Sequence, residues 1–177
     1  KTWFPYNKGG SFRKWYGNNE YLVNWLNNGH EIKKNTLMHY PQLSWDNLGW
    51  KISNEKLYFL PAITWTATSS SHFGVRKSFS GFLFDVKGSC CFPERLSEEV
   101  VLGLMASKQV RFFLKFLNPT IEYQTRDIGN LPVSGNIIHS VDNINAINLC
   151  VQQLIQIAKQ DWDAYETSWD FTSLPLL

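Results

Sequence analysis

The sequence predicts an α+β fold in which a twisted, mixed β-sheet packs against helices, the last of them long. Three observations indicate this class. Segments rich in β-branched and aromatic residues, at 56–70 and 80–89, precede a helical pattern at 97–117. A strand-like segment follows at 120–133, and a second helical pattern lies near 142–160. Because strands and helices are grouped rather than strictly alternating, this order is typical of α+β proteins.

The first predicted element is a short helix over 18–32. Asn18 or Asn19 can cap its N-terminus, and Gly29 is placed to end it. The apolar residues of one helical face are Tyr21, Leu22, Trp25 and Leu26.

The central elements are predicted to be strands. The segment 56–70 is interrupted by Pro61, so it indicates one or two strands that lead into a serine-rich loop. The segment 80–89 indicates a further strand, because its apolar residues lie between Gly81 and Gly88.

The clearest helix is predicted over 97–117. Ser97 is suited to cap it, Glu98 and Glu99 sit favourably in its first turn, and Pro119 stops it. Its apolar residues recur at helical spacing, which predicts one buried face.

The last elements are a strand and a helix. The segment 120–133 alternates as a strand does, at Ile121, Tyr123 and Thr125, and turns at Gly129 and Asn130. The helix near 142–160 is expected to act as a scaffold or docking element. Its apolar residues are Ile144, Ile147, Leu149, Val151, Leu154, Ile155 and Ala158.

Charge is divided unevenly along the chain. Residues 1–77 carry ten Lys and Arg against four Asp and Glu, whereas residues 78–177 carry seven against eleven. This division indicates an anionic partner for the first half or two surfaces with different duties, and chance segregation on a solvated surface is the alternative. At this length we expect one domain over 1–177, and the start at "KTWF" indicates a piece of a longer protein.

The cysteines indicate a reducing compartment. Cys90, Cys91 and Cys150 have no metal-ligand spacing and form no disulfide framework, which predicts a cytoplasmic protein. No run of 18 apolar residues is present, so no membrane span is expected.

No catalytic constellation stands out in the sequence. The stretch "NPTI" at 118–121 partly matches the Asn-Pro-Pro-aromatic motif of amino-group DNA methyltransferases. Because Thr and Ile replace the second Pro and the aromatic residue, the stretch is better interpreted as the end of a helix. Ser69, Ser70, Ser71 and His72 are adjacent, yet adjacency does not supply a base held by a third group. We therefore do not expect this chain by itself to be an enzyme, or to bind a metal or cofactor.

Two basic segments are suited to DNA. In "PYNKGGSFRKWYGN" (5–18), Lys8, Arg13 and Lys14 can neutralise phosphates, while Tyr16 can donate a hydrogen bond. The alternative for the rings of this segment is a place in the core.

The second basic segment is "TWTATSSSHFGVRK" (64–77). Its short hydroxyls suit contacts with the DNA backbone, and Arg76 could read a guanine edge. The alternative is an ordinary serine-rich loop. The predicted DNA-binding residues of this segment are Thr66, Ser70, Ser71, Arg76 and Lys77.

Several blocks of the sequence resemble a known family. "GGSFRKWYGN", "TWT" followed by "SSHFGVR", and "DWDAYETSWDF" resemble, in this order, the C-terminal half of PglX-type adenine-specific DNA methyltransferases of bacterial BREX phage-defence systems. More widely, "IEYQTRDIGNLPV" and the long closing helix are similar to target recognition domains of type I specificity subunits and of TaqI-like methyltransferases.

The resemblance implies a DNA target recognition domain whose partners are double-stranded DNA and the catalytic domain of the same parent chain, with other defence-system subunits as further partners. It also implies that the parent uses S-adenosylmethionine to methylate N6 of adenine, whereas this segment itself lacks the catalytic motif. The alternative is a protein–protein interaction module of a defence complex in which DNA contact is incidental.

Overall fold

The computed structural model describes residues 2–135 and 139–175. Within them the predicted α+β class is confirmed, including the long helix late in the chain. Two short 3₁₀ turns lie at Leu48–Trp50 and Glu55–Leu57. The strands are β1 (Trp3–Asn7), β2 (Tyr21–Asn24), β3 (Ala62–Trp65), β4 (Val75–Ser78), β5 (Leu83–Phe84) and β6 (Cys90–Cys91), and the helices are α1 (Leu26–His39), α2 (Glu98–Ala106), α3 (Lys108–Leu117), α4 (Thr125–Gly129) and α5 (Val141–Asp163).

The strands form two small sheets. The first has the order β2-β1-β5 and is mixed, because β1 pairs antiparallel with β2 and parallel with β5. The second has the order β4-β3-β6 and is antiparallel, with Trp65 opposite Val75 and Ile63 opposite Cys91. The segments 56–70 and 80–89 each supply a strand, as predicted.

The larger core lies between the second sheet and the helices. Ile63, Trp65 and Val75 are almost fully buried there. They pack with apolar residues of α2, α3 and α5, since residues two apart along a strand share one face of the sheet. The helical residues of this core are Leu102, Met105, Ala106, Val110, Leu114, Val151 and Ile155.

The helix predicted over 18–32 is wrong in its first half. Tyr21–Asn24 is strand β2, and α1 follows it. Asn27, Asn28 and Gly29 have positive φ of 50°, 58° and 70°, so the regular helix begins only after Gly29, which was expected to end it. Residues 21–24 pair with β1 instead of forming a helix. Glycine is needed at position 29, since a Cβ there would lie 2.5 Å from the Trp25 ring.

The helix predicted over 97–117 is two helices. The predicted cap at Ser97 is confirmed, because its hydroxyl accepts the N–H of Val100. Ser107 breaks the run with an extended ψ of 157° and caps α3 by accepting the N–H of Val110 at 3.2 Å. A second N-cap serine therefore turns one predicted helix into α2 and α3.

The strand predicted over 120–133 is also wrong. Its central part is helix α4, which begins where the Asp127 carboxylate accepts the N–H of Gln124. Only an isolated bridge between Thr68 and Glu122 is strand-like there. The predicted long helix near 142–160 is confirmed as α5. None of the helices in the described ranges has the length and hydropathy to cross a bilayer.

Candidate nucleic-acid interface

The two most distinctive motifs of the sequence lie against each other. Nη1 of Arg13 is 2.9 Å from Oδ2 of Asp161, near the end of α5. The Arg13 guanidinium also lies 4.7 Å from the centre of the Trp162 ring and 5.5 Å from that of Tyr165. Gly17, with φ of +114°, leaves room for this contact, since a Cβ there would lie 2.7 Å from the Arg13 side chain. Arg13 is therefore held by cation–π and ionic contacts within the protein.

A second cation completes this contact region. Lys159 lies 5.3 Å from the centre of the Tyr16 ring and forms ion pairs with Asp163 at 2.5 Å and Asp170 at 2.7 Å. Burial alone would lower the pKa of Lys159, but the hydrogen bonds to the two carboxylates raise it above its ordinary value. Tyr16 is buried, so in this conformation it has no surface for the predicted DNA contact.

We call this contact region the clasp. It joins residues 13–17, near the beginning of the chain, to residues 159–170, near its end. The motif at 9–18 is tied to the second sheet as well, because Trp15 pairs with Val75 and Lys77 through backbone hydrogen bonds of 2.9 Å. The motif at 161–171 thus serves to pack and neutralise the first. The members of the clasp are Arg13, Tyr16, Gly17, Lys159, Asp161, Trp162, Asp163 and Asp170.

Two further predicted DNA-binding cations have carboxylate partners. Lys8 lies 3.4 Å from Asp85, although its side chain remains 45% exposed. Lys77 lies 3.1 Å from Glu98 and 2.5 Å from Glu99 at the start of α2. Of these two, Lys8 is the one that keeps substantial contact with solvent.

Lys14 is placed differently. Its Nζ donates a hydrogen bond of 2.6 Å to the carbonyl of Ala106 at the end of α2. Burial lowers the pKa of Lys14, and the nearby charges of Arg111 and Lys108 lower it further. Lys14 therefore lies in a region where positive charges crowd one another.

Arg76, which was expected to read a base edge, lies in the interior. It is 2% exposed, and its Nη1 has no hydrogen-bond partner among the described residues. The pKa of its guanidinium is lowered to about 10, chiefly by burial, with Cys90 opposing the shift and the Arg13 charge adding to it. In this conformation Arg76 has no surface for a base. Thr66 donates a hydrogen bond of 3.1 Å to the carbonyl of Gly10 and so holds the first motif.

The predicted hydroxyls of the serine-rich loop meet a group of cations that sequence reasoning missed. Ser70 and Ser71 are exposed, and Ser71 lines a cavity of about 310 Å³ together with His72, Arg111 and Lys115. Nη2 of Arg111 lies 2.7 Å from Nε2 of His72. Of the predicted residues, Ser71 is thus brought beside α3, and Lys14 lies near the charges of the same helix.

The cations of α3 form a stripe. Lys108, Arg111 and Lys115 are spaced by three and four residues, so they share one face of the helix. All three are exposed, and none forms an ion pair with a carboxylate in the described parts of the chain. This spacing is visible in the sequence, where the apolar residues of the segment dominate the helical pattern. We call the surface formed by Ser70, Ser71, His72, Lys108, Arg111 and Lys115 the basic patch.

The described residues form no candidate metal-binding site. They contain no group of three or more His, Cys, Asp or Glu placed to hold a metal ion. Cys90, Cys91 and Cys150 are free thiols, and burial raises the pKa of Cys90 to about 12, so it is protonated at neutral pH.

Comparison with known proteins identifies relatives over the full chain. The adenine-specific methyltransferase PglX of Lacticaseibacillus casei (strain Zhang) is 39% identical over 178 residues, which cover 100% of this chain and 14% of PglX. The adenine-specific methyltransferase BrxX of Escherichia coli O9:H4 (strain HS) is 35% identical over 178 residues, covering 99% of this chain and 13% of BrxX. No family model matches. The chain is therefore homologous to one segment of the adenine-specific methyltransferases PglX and BrxX, which confirms the resemblance predicted from its motifs.

Proposed function

We propose that this chain is a DNA-binding segment of a bacterial adenine-specific methyltransferase, and that it contributes to recognition of the target sequence. The parent enzyme acts in the cytoplasm as part of a BREX phage-defence system. Transfer of the methyl group from S-adenosylmethionine to N6 of adenine belongs to the parent's catalytic domain. Residues 1–177 act as one recognition domain, for which α5 is the scaffold.

The observation that carries this proposal is the basic patch. Lys108, Arg111 and Lys115 present three positive charges on one helical face, and no carboxylate of residues 2–135 or 139–175 pairs with them. Ser71 adds a short hydroxyl beside Arg111 and Lys115, and the exposed Ser70 precedes it in the loop. Cations supply the salt-dependent attraction to phosphates, and hydroxyls commonly fix the position of the protein on the DNA backbone.

Electrostatic crowding supports a polyanionic partner. Burial is the main cause that lowers the pKa of Lys14, and the charges of Arg111 and Lys108 lower it further. A polyanion at this surface would relieve the repulsion that the folded chain imposes on its own cations. The cations of the clasp offer no such gain, because carboxylates already neutralise them.

The test compares two triple variants. In the first, Lys108, Arg111 and Lys115 are each replaced by Gln. In the control, Lys34→Gln, Lys56→Gln and Arg95→Gln remove two Lys and one Arg that are exposed elsewhere and form no ion pair in the described ranges. Binding of a labelled duplex is followed by fluorescence anisotropy across a salt series.

We expect the patch variant to lose most of its affinity and to flatten the dependence of log K on log salt by about 2–3 units, since each phosphate contact contributes about 0.9. The control should keep the wild-type slope. Equal losses in the two variants would mean that only net charge matters, and would refute the basic patch as the DNA surface.

A protein-interaction module is the second candidate, and the solvent face of α3 favours it. Phe112 and Phe116 are 58% and 72% exposed, and their rings are 4.9 Å apart. Exposed aromatic clusters commonly mark contacts with other proteins. Replacing Phe112 and Phe116 by Ser should leave DNA binding intact under the first candidate. Under the second it should instead abolish association with the catalytic domain or another defence subunit.

A further inference from the structure

We propose that the cavity within the basic patch, between the 71–73 loop and the end of α3, is an oxyanion site that holds a single phosphate group. The inference deepens the proposed function and rests on it for the source of the ligand, a phosphate of the DNA backbone. Its chemistry, however, applies equally to free phosphate.

The cavity offers hydrogen-bond donors. Its volume is about 310 Å³, and it is lined by Arg111 and Lys115 from α3 and by Ser71 and His72 from the loop. The Lys115 ammonium forms no ion pair among the described residues. Arg111 has a planar set of N–H groups, and among the contacts of the described residues its Nη2 alone is engaged, with the His72 ring. Such a set suits the tetrahedral oxygens of a phosphate.

The side-chain amide of the lining, that of Asn118, is already occupied at both ends. Nδ2 of Asn118 donates to the carbonyl of Glu122 at 2.6 Å and to Asp127 at 2.5 Å. Its Oδ1 accepts from the N–H and the hydroxyl of Thr120, at 3.1 and 2.6 Å. The side-chain amide therefore has neither end available for the donor and acceptor edge of a base. The cavity favours a ligand made of acceptors.

The aromatic residues of the lining are also engaged. Phe73 is 5% exposed, and its ring packs 5.0 Å from that of Tyr123. A nucleobase pocket needs a free ring face for stacking, and the buried Phe73 ring offers none. A phosphate needs no such face.

Arg111 is connected to the motif at 9–18 through two successive side-chain contacts. The His72 ring, which touches Arg111, meets the Phe12 ring edge-on at 5.9 Å. Phe12 belongs to the "GGSFRKWYGN" block. We therefore assign Phe12 and His72 as positioning residues that hold Arg111 toward the cavity, so that less side-chain freedom is lost when the anion binds.

The test is a titration of the full 177-residue chain with inorganic phosphate, followed by amide chemical-shift changes in NMR spectra. We expect saturable shifts confined to residues around Ser71, His72, Arg111 and Lys115. Arg111→Gln should weaken binding about tenfold, as expected for loss of a charge-assisted hydrogen bond, and Lys115→Gln, on an exposed site, by a similar factor. Arg95→Gln, the matched control, should leave it unchanged.

A second titration adds duplex DNA to the phosphate complex and separates the two ligand sources. Displacement of phosphate by DNA supports the site and its use on the DNA backbone. Phosphate binding that DNA leaves intact supports an oxyanion site for free phosphate and argues against the proposed function. Absence of localised shifts, or equal effects of Arg111→Gln and Arg95→Gln, overturns the oxyanion site. If DNA binding persists with the expected salt slope, the proposed function survives that result.

Discussion

The clasp and the basic patch are both built from cations and aromatic rings, yet they are suited to opposite roles. In the clasp, Arg13 and Lys159 each meet a carboxylate at 2.9 Å or less and the centre of a ring at 5.3 Å or less. In the basic patch, Lys108, Arg111 and Lys115 have no carboxylate partner in the ranges described. The density of cations along a sequence therefore does not locate a surface for anions. Whether a group of cations is available to an anion depends on whether the fold pairs those cations with its own carboxylates.

The same comparison explains the uneven charge along the chain. The basic first half and the acidic second half are separated in sequence, but the fold brings them together. Arg13 meets Asp161, and Lys77 meets Glu99. The cations that remain unneutralised on α3 belong to the half of the chain that is acidic overall.

The largest effect expected in the clasp comes from its central ring. Trp162 is 4% exposed, so Trp162→Ala should lower the free energy of unfolding by about 3–5 kcal/mol, measured by urea denaturation. Trp50→Ala is the control, because Trp50 is 84% exposed and should change stability by about 0.5 kcal/mol or less. Similar losses in the two variants would contradict a structural role for the clasp.

A smaller effect is expected at Gly17, where strain and collision combine. An alanine at φ of +114° is strained, and its Cβ would also displace Arg13 or Trp162, for a loss of about 2–4 kcal/mol in total. Gly81 has φ of +98° with no atom near its Cβ position, so Gly81→Ala isolates the strain, roughly 1–2 kcal/mol. Thermal or urea unfolding of both variants measures the difference. Equal losses would show that Arg13 and Trp162 move aside without a loss of stability.

The smallest effect on stability is expected at Arg13, and it gives the clearest distinction between the clasp and the basic patch. Arg13→Met should lower stability by only about 1 kcal/mol or less, because the carboxylate of its ion pair is 58% exposed. It should also leave the salt dependence of DNA binding unchanged. Lys115→Met should do the reverse, with stability nearly unchanged and a slope reduced by about one unit. A salt slope reduced by Arg13→Met would place the clasp itself on DNA.

A helix or strand could be predicted where a local sequence pattern, such as helical spacing or a capping residue, is sufficient to specify it. The long helix α5 and the cap at Ser97 follow from helical spacing and capping chemistry, and both are confirmed. The segment at 21–24 reads equally well as helix or strand, and its pairing with β1, more than a dozen residues earlier, decides for strand. Ser107 can lie inside a helix or cap a new one, and only packing selects between the two.

The site was predictable only in part for a similar reason. Residue chemistry marks Lys8, Arg13 and Lys14 as suitable for phosphates, and the sequence does not reveal that Asp161 lies beside Arg13. Arg76 looks like a surface residue by type, yet its strand is covered on both faces. The stripe on α3, in contrast, follows from helical spacing alone and could have been found.

The Arg13–Asp161 contact spans 148 positions of the chain, which has a consequence for synthesis. At a translation rate of about 5–20 residues per second, Asp161 and Trp162 are made on the order of ten seconds after Arg13. During that interval the nascent chain carries an arginine, a tyrosine and a glycine turn that await their partners. The clasp is therefore among the last tertiary contacts within residues 1–177 that can form during synthesis, and until then the first motif is held by the second sheet and by the hydrogen bond from Lys14 to Ala106.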